Sequence, residues 1–384
     1  MAYLDHNATS PMRNEARAAI ARALTIGGNP SSIHREGRAA RALIENAREE
    51  VASLAGAQAK SVTFTSGGSE ANVTALSGAL HGGAEEGARI SRLFVSAIEH
   101  ESVMANAVKL EGRFAGLRVT AVPATQGGQV DLTELARSLR EGTGRALVAV
   151  MLANNETGVI QPIADVVALA KECGALLLVD AIQAAGKIPL DFTSMGADYL
   201  TLSAHKIGGP QGAGALVMND NAPSVPLIAG GGQESGRRAG TENLAGIAAF
   251  GAAAKAAQNL EESGRVGRLR DSFELALRSR FPDAVIFGAE SPRLPNTSNF
   301  ALPGIPAETA LIALDLDGVM VSSGAACSSG RVEPSHVLQA MGVADALARC
   351  ALRVSLGWNS TETDIEEAIA SIERLSARIA RRAA

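Results

Sequence analysis

The chain has 384 residues, 46% of them hydrophobic, and a formal net charge of −5. The sequence contains no basic cluster of the kind that a nucleic-acid backbone requires, so we expect no nucleic-acid partner. Three cysteines are too few for a disulfide framework, and no apolar run reaches the roughly 18 residues of a membrane span. With no leader-like N-terminus, these features predict a cytoplasmic protein that does not bind a membrane.

Short apolar runs alternate with amphipathic segments between residues 60 and 220. The runs lie at 61–66, 92–98, 117–123, 146–153, 175–181, 199–203 and 214–218. Helical patterns lie between them, for example at 69–80 and 163–174. This alternation predicts an α/β protein whose sheet is mainly parallel and buried on both faces.

The pattern changes after a glycine-rich stretch at 230–242 and a helical segment at 243–260. We predict a helix at 264–281, short strands at 284–288 and 296–302, and a helix after 306. An apolar run follows at 319–324. Thr361, which is followed by acidic residues, predicts the start of a C-terminal helix. These elements predict a second, smaller α+β unit.

Polar residues follow five of the predicted strands. They are Ser66 to Ser69, Glu99 and His100, Asn154 and Asn155, Asp180 and Gln183, and Ser203 to Lys206. Ligands in open α/β sheets bind outside the carboxyl ends of the strands. The sequence therefore predicts a single crevice at this edge of the sheet.

The stretch TSGGSEAN, residues 65–72, ends a strand with two glycines and starts a helix at Ser69. Free N–H groups and the positive end of the helix dipole can hold a phosphate there. An ordinary glycine turn capped by Ser69 explains the same stretch equally well on its own.

Asp180 follows four apolar residues, and Lys206 follows the next apolar run, 199–203. A buried acid needs a cation or a donor as partner. Pyridoxal phosphate requires such a pair, because a lysine forms its Schiff base and a carboxylate keeps its ring nitrogen protonated. Taken singly, Asp180 is typical of a turn cap and Lys206 of a solvated loop.

Seven motifs together resemble the NifS/IscS cysteine desulfurases, which are fold-type I pyridoxal phosphate enzymes of the class V aminotransferase superfamily. The motifs are TSGGSEAN (65–72), SAIEHESV (96–103), ANNETGVIQPI (153–163), VDAIQAAGKIPLD (179–191), SAHKIGGPQGAG (203–214), GGGQESGRRAGTEN (230–243) and SSGAACSSGRVEPSHVL (322–338). The resemblance implies a mainly parallel seven-stranded sheet in a large cofactor-binding domain, residues 15–259. Residues 1–14 and 260–384 would form a smaller α+β domain that carries the catalytic cysteine loop.

The resemblance also assigns roles to matching positions. Lys206 would form the Schiff base, His100 would stack on the ring and shuttle protons, and Asp180 would pair with the ring nitrogen. Arg353, together with Asn155, would bind the substrate. The implied cofactor-binding residues are Gly68, Ser69, His100, Asn155, Asp180, Gln183, Ser203, His205, Lys206 and Thr241, the last supplied by the other subunit of a homodimer.

Cys327 lies among small residues and has no apolar stripe beside it, whereas Cys173 and Cys350 are expected to be buried. The resemblance makes Cys327 the nucleophile that takes sulfur from L-cysteine, leaving L-alanine and a persulfide. It also implies sulfur transfer to an acceptor protein such as an iron–sulfur scaffold, where Cys327 can contact the cluster transiently.

Three other readings stay open from the residues alone. A nicotinamide-dependent dehydrogenase fits poorly, since the glycines of 208–214 follow no first strand and have no acidic partner about 20 residues on. An aminotransferase or a selenocysteine lyase would share the fold and the cofactor. A non-catalytic relative would not need Lys206, Asp180, His100 and Cys327 together.

Overall fold

The computed structural model describes residues 1–82, 89–323 and 335–383. Its strands are β1 (Ala2–Tyr3), β2 (Val62–Thr65), β3 (Ile90–Ser96), β4 (Arg118–Val122), β5 (Arg145–Met151), β6 (Leu176–Asp180), β7 (Tyr199–Ser203), β8 (Gly214–Met218), β9 (Val285–Ile286), β10 (Thr297–Ala301), β11 (Val319–Met320) and β12 (Ala351–Ser355). Its α-helices are α1 (Asn14–Ala23), α2 (Arg35–Ala55), α3 (Gly68–Gly82), α4 (Glu101–Arg113), α5 (Leu132–Glu141), α6 (Ile163–Glu172), α7 (Phe192–Met195), α8 (Leu244–Ala257), α9 (Leu260–Arg280), α10 (Ala307–Leu316), α11 (His336–Ala340), α12 (Asp345–Ala348) and α13 (Glu362–Ala383).

The centre of the molecule is a seven-stranded sheet with the order β2-β8-β7-β6-β5-β3-β4. Strands β3 to β7 pair in parallel, and β8 runs antiparallel to both of its neighbours. Each of the seven apolar runs overlaps one of these strands. The predicted α/β class and the mainly parallel seven-stranded sheet are therefore confirmed.

Helices cover both faces of this sheet, which explains why its strands are apolar at successive positions. In β6, Leu177 and Val179 join a core that includes α1, α2, α6 and α8. Leu176 and Leu178 point the other way, into a core shared with α3 and α4. A strand buried on both faces has no polar side, so it reads as a continuous apolar run.

A second core lies around the antiparallel sheet β12-β10-β9 and helices α9, α10 and α13. The N-terminal strand β1 pairs in parallel with β11, and Leu4 packs in the same core, together with Phe273 and Phe300. This packing brings the start of the chain next to its C-terminal third. The domain boundaries at 14/15 and 259/260 stay a prediction.

Several local features differ from expectation or add to it. Cys350 is buried, but Cys173 is only partly buried and packs at the edge of the large core. Helices α1 and α2 and strands β1 and β12 had no counterpart in the sequence analysis. Within the described part of the chain, no helix has the length and apolar character that a membrane crossing needs.

Candidate active site

A cavity of about 890 Å³ opens at the carboxyl ends of the central strands. Among the residues that line it are ten of the predicted site residues: Gly68, Ser69, His100, Asn155, Asp180, Gln183, Ser203, His205, Lys206 and Arg353. The cavity volume lies in the range typical of small-molecule sites. The strand ends thus meet at one crevice, as the connectivity of a parallel sheet requires.

Asp180 is the last residue of β6 and is buried at the cavity wall. Its two carboxylate oxygens accept hydrogen bonds from the Ile182 backbone N–H at 2.9 Å and from Asn72 Nδ2 at 2.7 Å. Burial raises the pKa of Asp180, and these donors, with His100 and Lys206, act in the opposite direction. The site therefore holds a desolvated carboxyl group that a cationic partner would stabilise.

Lys206 ends a single 3₁₀ turn, Ala204–Lys206, that follows β7 directly. Its Nζ donates to the backbone carbonyls of Asn7 at 2.6 Å and Ala8 at 2.7 Å. Burial, and then the charge of Arg353, lower the pKa of Lys206 to about 8. About one tenth of the amine is therefore neutral and nucleophilic at pH 7, far more than for a lysine of ordinary pKa.

The turn between β2 and α3 forms another wall of the cavity. A Cβ placed on Gly68 would lie 2.2 Å from Ile182 Cδ1 and 3.3 Å from Ser203 Cβ, so only glycine fits without displacing a neighbour. Gly68 opens the fifteen-residue helix α3, and Ser69 follows it at the cavity. N–H groups at a helix start can bind anions, and Gly68 and Ser69 line the same cavity as Lys206.

His205 and Ser203 complete this wall. The His205 Nδ1 lies 3.1 Å from Thr9 Oγ1, and Ser203 is buried at the end of β7. Burial, then the charges of Lys206 and Lys187, lower the pKa of His205 to about 4. His205 is therefore neutral at physiological pH and can offer a hydrogen bond without carrying charge.

His100 caps α4 with its own ring. Its Nδ1 accepts from the Ser102 backbone N–H at 3.1 Å and lies 2.8 Å from Ser102 Oγ. Part of the ring is exposed towards the cavity. Desolvation by the surrounding protein lowers the pKa of His100, while the charge of Asp180 opposes that shift.

Gln183 and Asn155 lie beside the N-terminal segment. Gln183 Nε2 donates to the Asn7 carbonyl at 3.0 Å, and its Oε1 accepts from Lys187 Nζ at 3.2 Å. The backbone carbonyl of Asn155 accepts from Asn7 Nδ2 at 3.0 Å. Asn7 thus ties two predicted site residues to the start of the chain.

Arg353 extends from the centre of β12 and is only 4% exposed. Its Nη1 donates to the Asn155 carbonyl at 3.0 Å, and its Nη2 donates to Asp5 Oδ1 at 2.7 Å. Its buried Nε has no hydrogen-bond partner among the described residues. A buried guanidinium with unused donors at a cavity wall is suited to bind a carboxylate.

Two predicted residues are not placed in the cavity by the described chain. Cys327 lies outside the described residues, so its predicted catalytic and iron–sulfur roles stay predictions. Ser322 and Ser335, on either side of the segment 324–334, both line the cavity. Thr241 is exposed and is not among the lining residues, and its predicted action on a second subunit stays a prediction.

Sequence reasoning placed Glu99 among the strand-end polar residues and did not single out Glu156, and it gave neither of these buried acids a chemical role. Glu156 accepts from Ser335 Oγ at 2.5 Å, and burial raises the pKa of Glu156 to about 7. Glu99 accepts from the Met151 backbone N–H at 2.6 Å, and burial raises the pKa of Glu99 well above its usual value. Both directly neighbour predicted site residues, Asn155 and His100, and that adjacency was the available signal.

The described residues fit a bound pyridoxal phosphate by their chemistry. One cavity is lined by the nucleophilic amine of Lys206, the desolvated carboxyl group of Asp180, the start of α3 at Gly68 and the buried guanidinium of Arg353, which has unused donors. An aldehyde, a pyridine nitrogen, a phosphate and a substrate carboxylate would each find a partner there.

Comparisons with known proteins assign the chain to one protein family. The family model for aminotransferase class-V matches residues 2–368. The chain is 41% identical to cysteine desulfurase IscS of Dictyoglomus turgidum, over 97% of this chain and 94% of that protein. It is also 41% identical to the IscS-like cysteine desulfurase of Mycobacterium tuberculosis, over 100% of this chain and 98% of that protein.

Solved structures agree with this assignment. A NifS-like protein from Rickettsia africae superposes with a TM-score of 0.87 at 34% identity, covering 98% of this chain and 99% of that one. The chain therefore belongs to the class-V aminotransferase family and is similar over nearly its whole length to proteins named IscS and NifS-like.

Proposed function

We propose that this protein is a pyridoxal phosphate-dependent cysteine desulfurase, which takes sulfur from L-cysteine, leaves L-alanine and holds the sulfur as a persulfide on Cys327. The observation that carries the proposal is that the Lys206 amine and the Asp180 carboxyl group line one cavity, beside a glycine-walled helix start. The names of the IscS relatives support the choice of reaction.

The family resemblance assigns the residues that would hold the cofactor, and those named here line one cavity. Lys206 would bond to the aldehyde, Asp180 would pair with the ring nitrogen, and His100 would lie against the ring. The phosphate would be held by Gly68, Ser69, Ser203 and His205, and the oxygen side of the ring by Asn155 and Gln183. When bound, the cofactor supplies an electron sink for the pair released from the substrate Cα–H bond.

Substrate binding falls to Arg353. Its unused Nε and remaining Nη donors would bind the substrate carboxylate as a fork, and its fixed contacts to Asn155 and Asp5 orient that fork. Because these contacts are made by protein groups alone, the guanidinium is in place before substrate arrives.

Proton transfer at Cα falls to Lys206. Its lowered pKa of about 8 lets the free amine accept a proton near neutral pH and return it later. Asp180, which is buried at the cavity wall, would keep the ring nitrogen of the cofactor protonated.

Sulfur transfer falls to Cys327. Its thiolate sulfur forms the S–S bond while the substrate C–S bond breaks, and the electron pair of that bond stays with the carbon. Protonation of this carbon gives alanine, so one cysteine and one protein thiol become one alanine and one protein persulfide. Ser322 and Ser335 border both the cavity and the segment that contains Cys327.

The proposal includes partners. We propose a homodimer in which Thr241, exposed in the single chain, contributes to the second subunit's phosphate site. The persulfide sulfur would pass to an acceptor protein such as an iron–sulfur scaffold, and Cys327 could contact the growing cluster. Such chemistry suits the cytoplasm, where thiols stay reduced.

The test is to incubate purified protein with L-cysteine and to measure alanine and protein persulfide together. Cys327→Ala should lose both products while keeping the bound cofactor. The control is Cys173→Ala, which changes a partly buried cysteine on the helical side of the core and should keep both. Unchanged alanine release from Cys327→Ala would contradict the mechanism. Amino transfer to a keto acid, or turnover of selenocysteine alone, would favour the related reactions.

A further inference from the structure

Asn72 lies on α3, one helical turn after Ser69, and its side chain is completely buried. Its Nδ2 donates to Asp180 Oδ2 at 2.7 Å and to Ser102 Oγ at 3.0 Å. Its Oδ1 accepts from Thr201 Oγ1 at 2.7 Å. Both amide hydrogens and the amide oxygen therefore have buried partners on three different elements.

The orientation of this amide follows from its partners. The proposed function requires an ionised Asp180, which can only accept hydrogen bonds, and the nitrogen of Asn72 is therefore the atom that faces it. The oxygen then faces Thr201, whose hydroxyl supplies the donor. Asn72 is thus the side-chain donor to Asp180, beside the backbone N–H of Ile182.

The second amide hydrogen fixes Ser102. Because Ser102 Oγ accepts from Asn72, its own hydrogen is directed to His100 Nδ1, 2.8 Å away. The Ser102 backbone N–H, which can only donate, also contacts this Nδ1 at 3.1 Å. His100 Nδ1 is therefore an acceptor, and a neutral ring must carry its proton on Nε2.

We propose that Asn72 is a positioning residue that holds the Asp180 carboxylate and, through Ser102, keeps the proton of His100 on Nε2. This inference deepens the proposed function and rests on it for the roles of Asp180 and His100. His100 then offers an N–H donor towards the cavity and is a poor base, so proton transfer at Cα is left to Lys206.

Other charged and titratable groups also face His100. Asp180 and Glu101 raise its pKa, whereas Lys206 and His336 lower it. Desolvation by the surrounding protein acts in the same direction as Lys206 and His336 and is the largest effect, so the net pKa of His100 is lowered. This direction agrees with a ring that stays neutral while Ser102 donates to it.

The test reads the ring nitrogens directly. Protein labelled with ¹⁵N-histidine, free of cofactor, is examined by long-range proton–nitrogen NMR, and the His100 signals are assigned by their loss in His100→Gln. We expect an unprotonated Nδ1 and a protonated Nε2. Asn72→Ala and Ser102→Ala should each raise the pKa of His100. Ser102→Ala removes the hydroxyl that donates to Nδ1 of the neutral ring, and Asn72→Ala removes the group that orients this hydroxyl.

The matched control is Thr74→Val. Thr74 is buried two residues further along α3, and its hydroxyl has no partner among the described residues. This variant should leave the His100 midpoint unchanged. In the enzyme loaded with pyridoxal phosphate, Asn72→Ala should lower kcat about tenfold, the loss of one charge-assisted hydrogen bond, with little change in KM for cysteine.

The outcomes separate the inference from the proposed function. A protonated Nδ1 in the wild-type chain would overturn the inference, whether or not the protein binds the cofactor. So would Ser102→Ala and Asn72→Ala variants that fold and keep the wild-type midpoint. A protein with the expected Nε2 proton that binds no pyridoxal phosphate would instead overturn the proposed function.

Discussion

Gly214 offers a sharp test of the proposed phosphate site. It is the first residue of β8 and pairs with Thr65 at the end of β2. A Cβ at this position would lie 2.5 Å from the carbonyl carbon of Gly67 and 2.7 Å from its Cα. Gly214→Ala therefore pushes directly on the turn that carries Gly68 and Ser69.

The size of the effect follows from this contact. Ordinary van der Waals contacts of a Cβ begin near 3.4 Å, so the Gly67 backbone must withdraw by about 0.9 Å. Backbone cannot rotate away as a side chain can, and overpacking of this kind costs about 1–3 kcal/mol. If the turn binds phosphate, the affinity for pyridoxal phosphate should fall by about 5-fold to 150-fold.

The assay is a titration of cofactor-free protein with pyridoxal phosphate, followed by its visible absorbance, with thermal unfolding measured in parallel. The control is Gly112→Ala in α4, where an added Cβ meets nothing within 4 Å. It should leave the affinity unchanged. A Gly214→Ala variant that folds and binds the cofactor within twofold of wild type would refute this account of the turn.

Three further predictions concern other residues of the site. The rate at which cofactor-free protein captures pyridoxal phosphate should rise with pH and level off above about 8, because only the neutral Lys206 amine attacks; a rate that is flat from pH 6 to 9 would argue against Lys206. Arg353→Lys should raise KM for cysteine by about 10-fold to 100-fold, since an ammonium group cannot replace the paired N–H donors of the guanidinium. A KM within twofold of wild type in steady-state kinetics would exclude this role of Arg353. Glu156 has a pKa raised to about 7 by burial, so folded protein loses stability as pH rises from about 4.5 to 7. Glu156→Gln removes this loss and should be more stable than wild type above pH 7 by up to about 3 kcal/mol, with the advantage vanishing below pH 4.5 in chemical denaturation.

The central sheet could be predicted because its strands are buried on both faces. Leu176 to Val179 alternate between two cores, so the strand has no polar position to obscure its apolar run. The pair β1–β11 could not be predicted in this way. Two residues such as Ala2 and Tyr3 have no periodicity, and their pairing with Val319 and Met320 depends on a contact between distant parts of the chain.

The same distinction applies to the site. Asp180 and Lys206 could be identified because each interrupts a local pattern at a strand end. Asn72 could not, since its contacts with Asp180 and Ser102 span 108 and 30 residues of sequence. The i, i+3 spacing from Ser69 to Asn72 was the local signal that both face one side of α3.

The central claim is that Lys206 carries the cofactor. Protein loaded with pyridoxal phosphate is reduced with borohydride, digested and mapped by mass spectrometry. We expect a single reduced pyridoxyl adduct on Lys206. An adduct on Lys187, the neighbouring lysine whose pKa burial lowers to about 7, or no adduct on any lysine, would contradict the account.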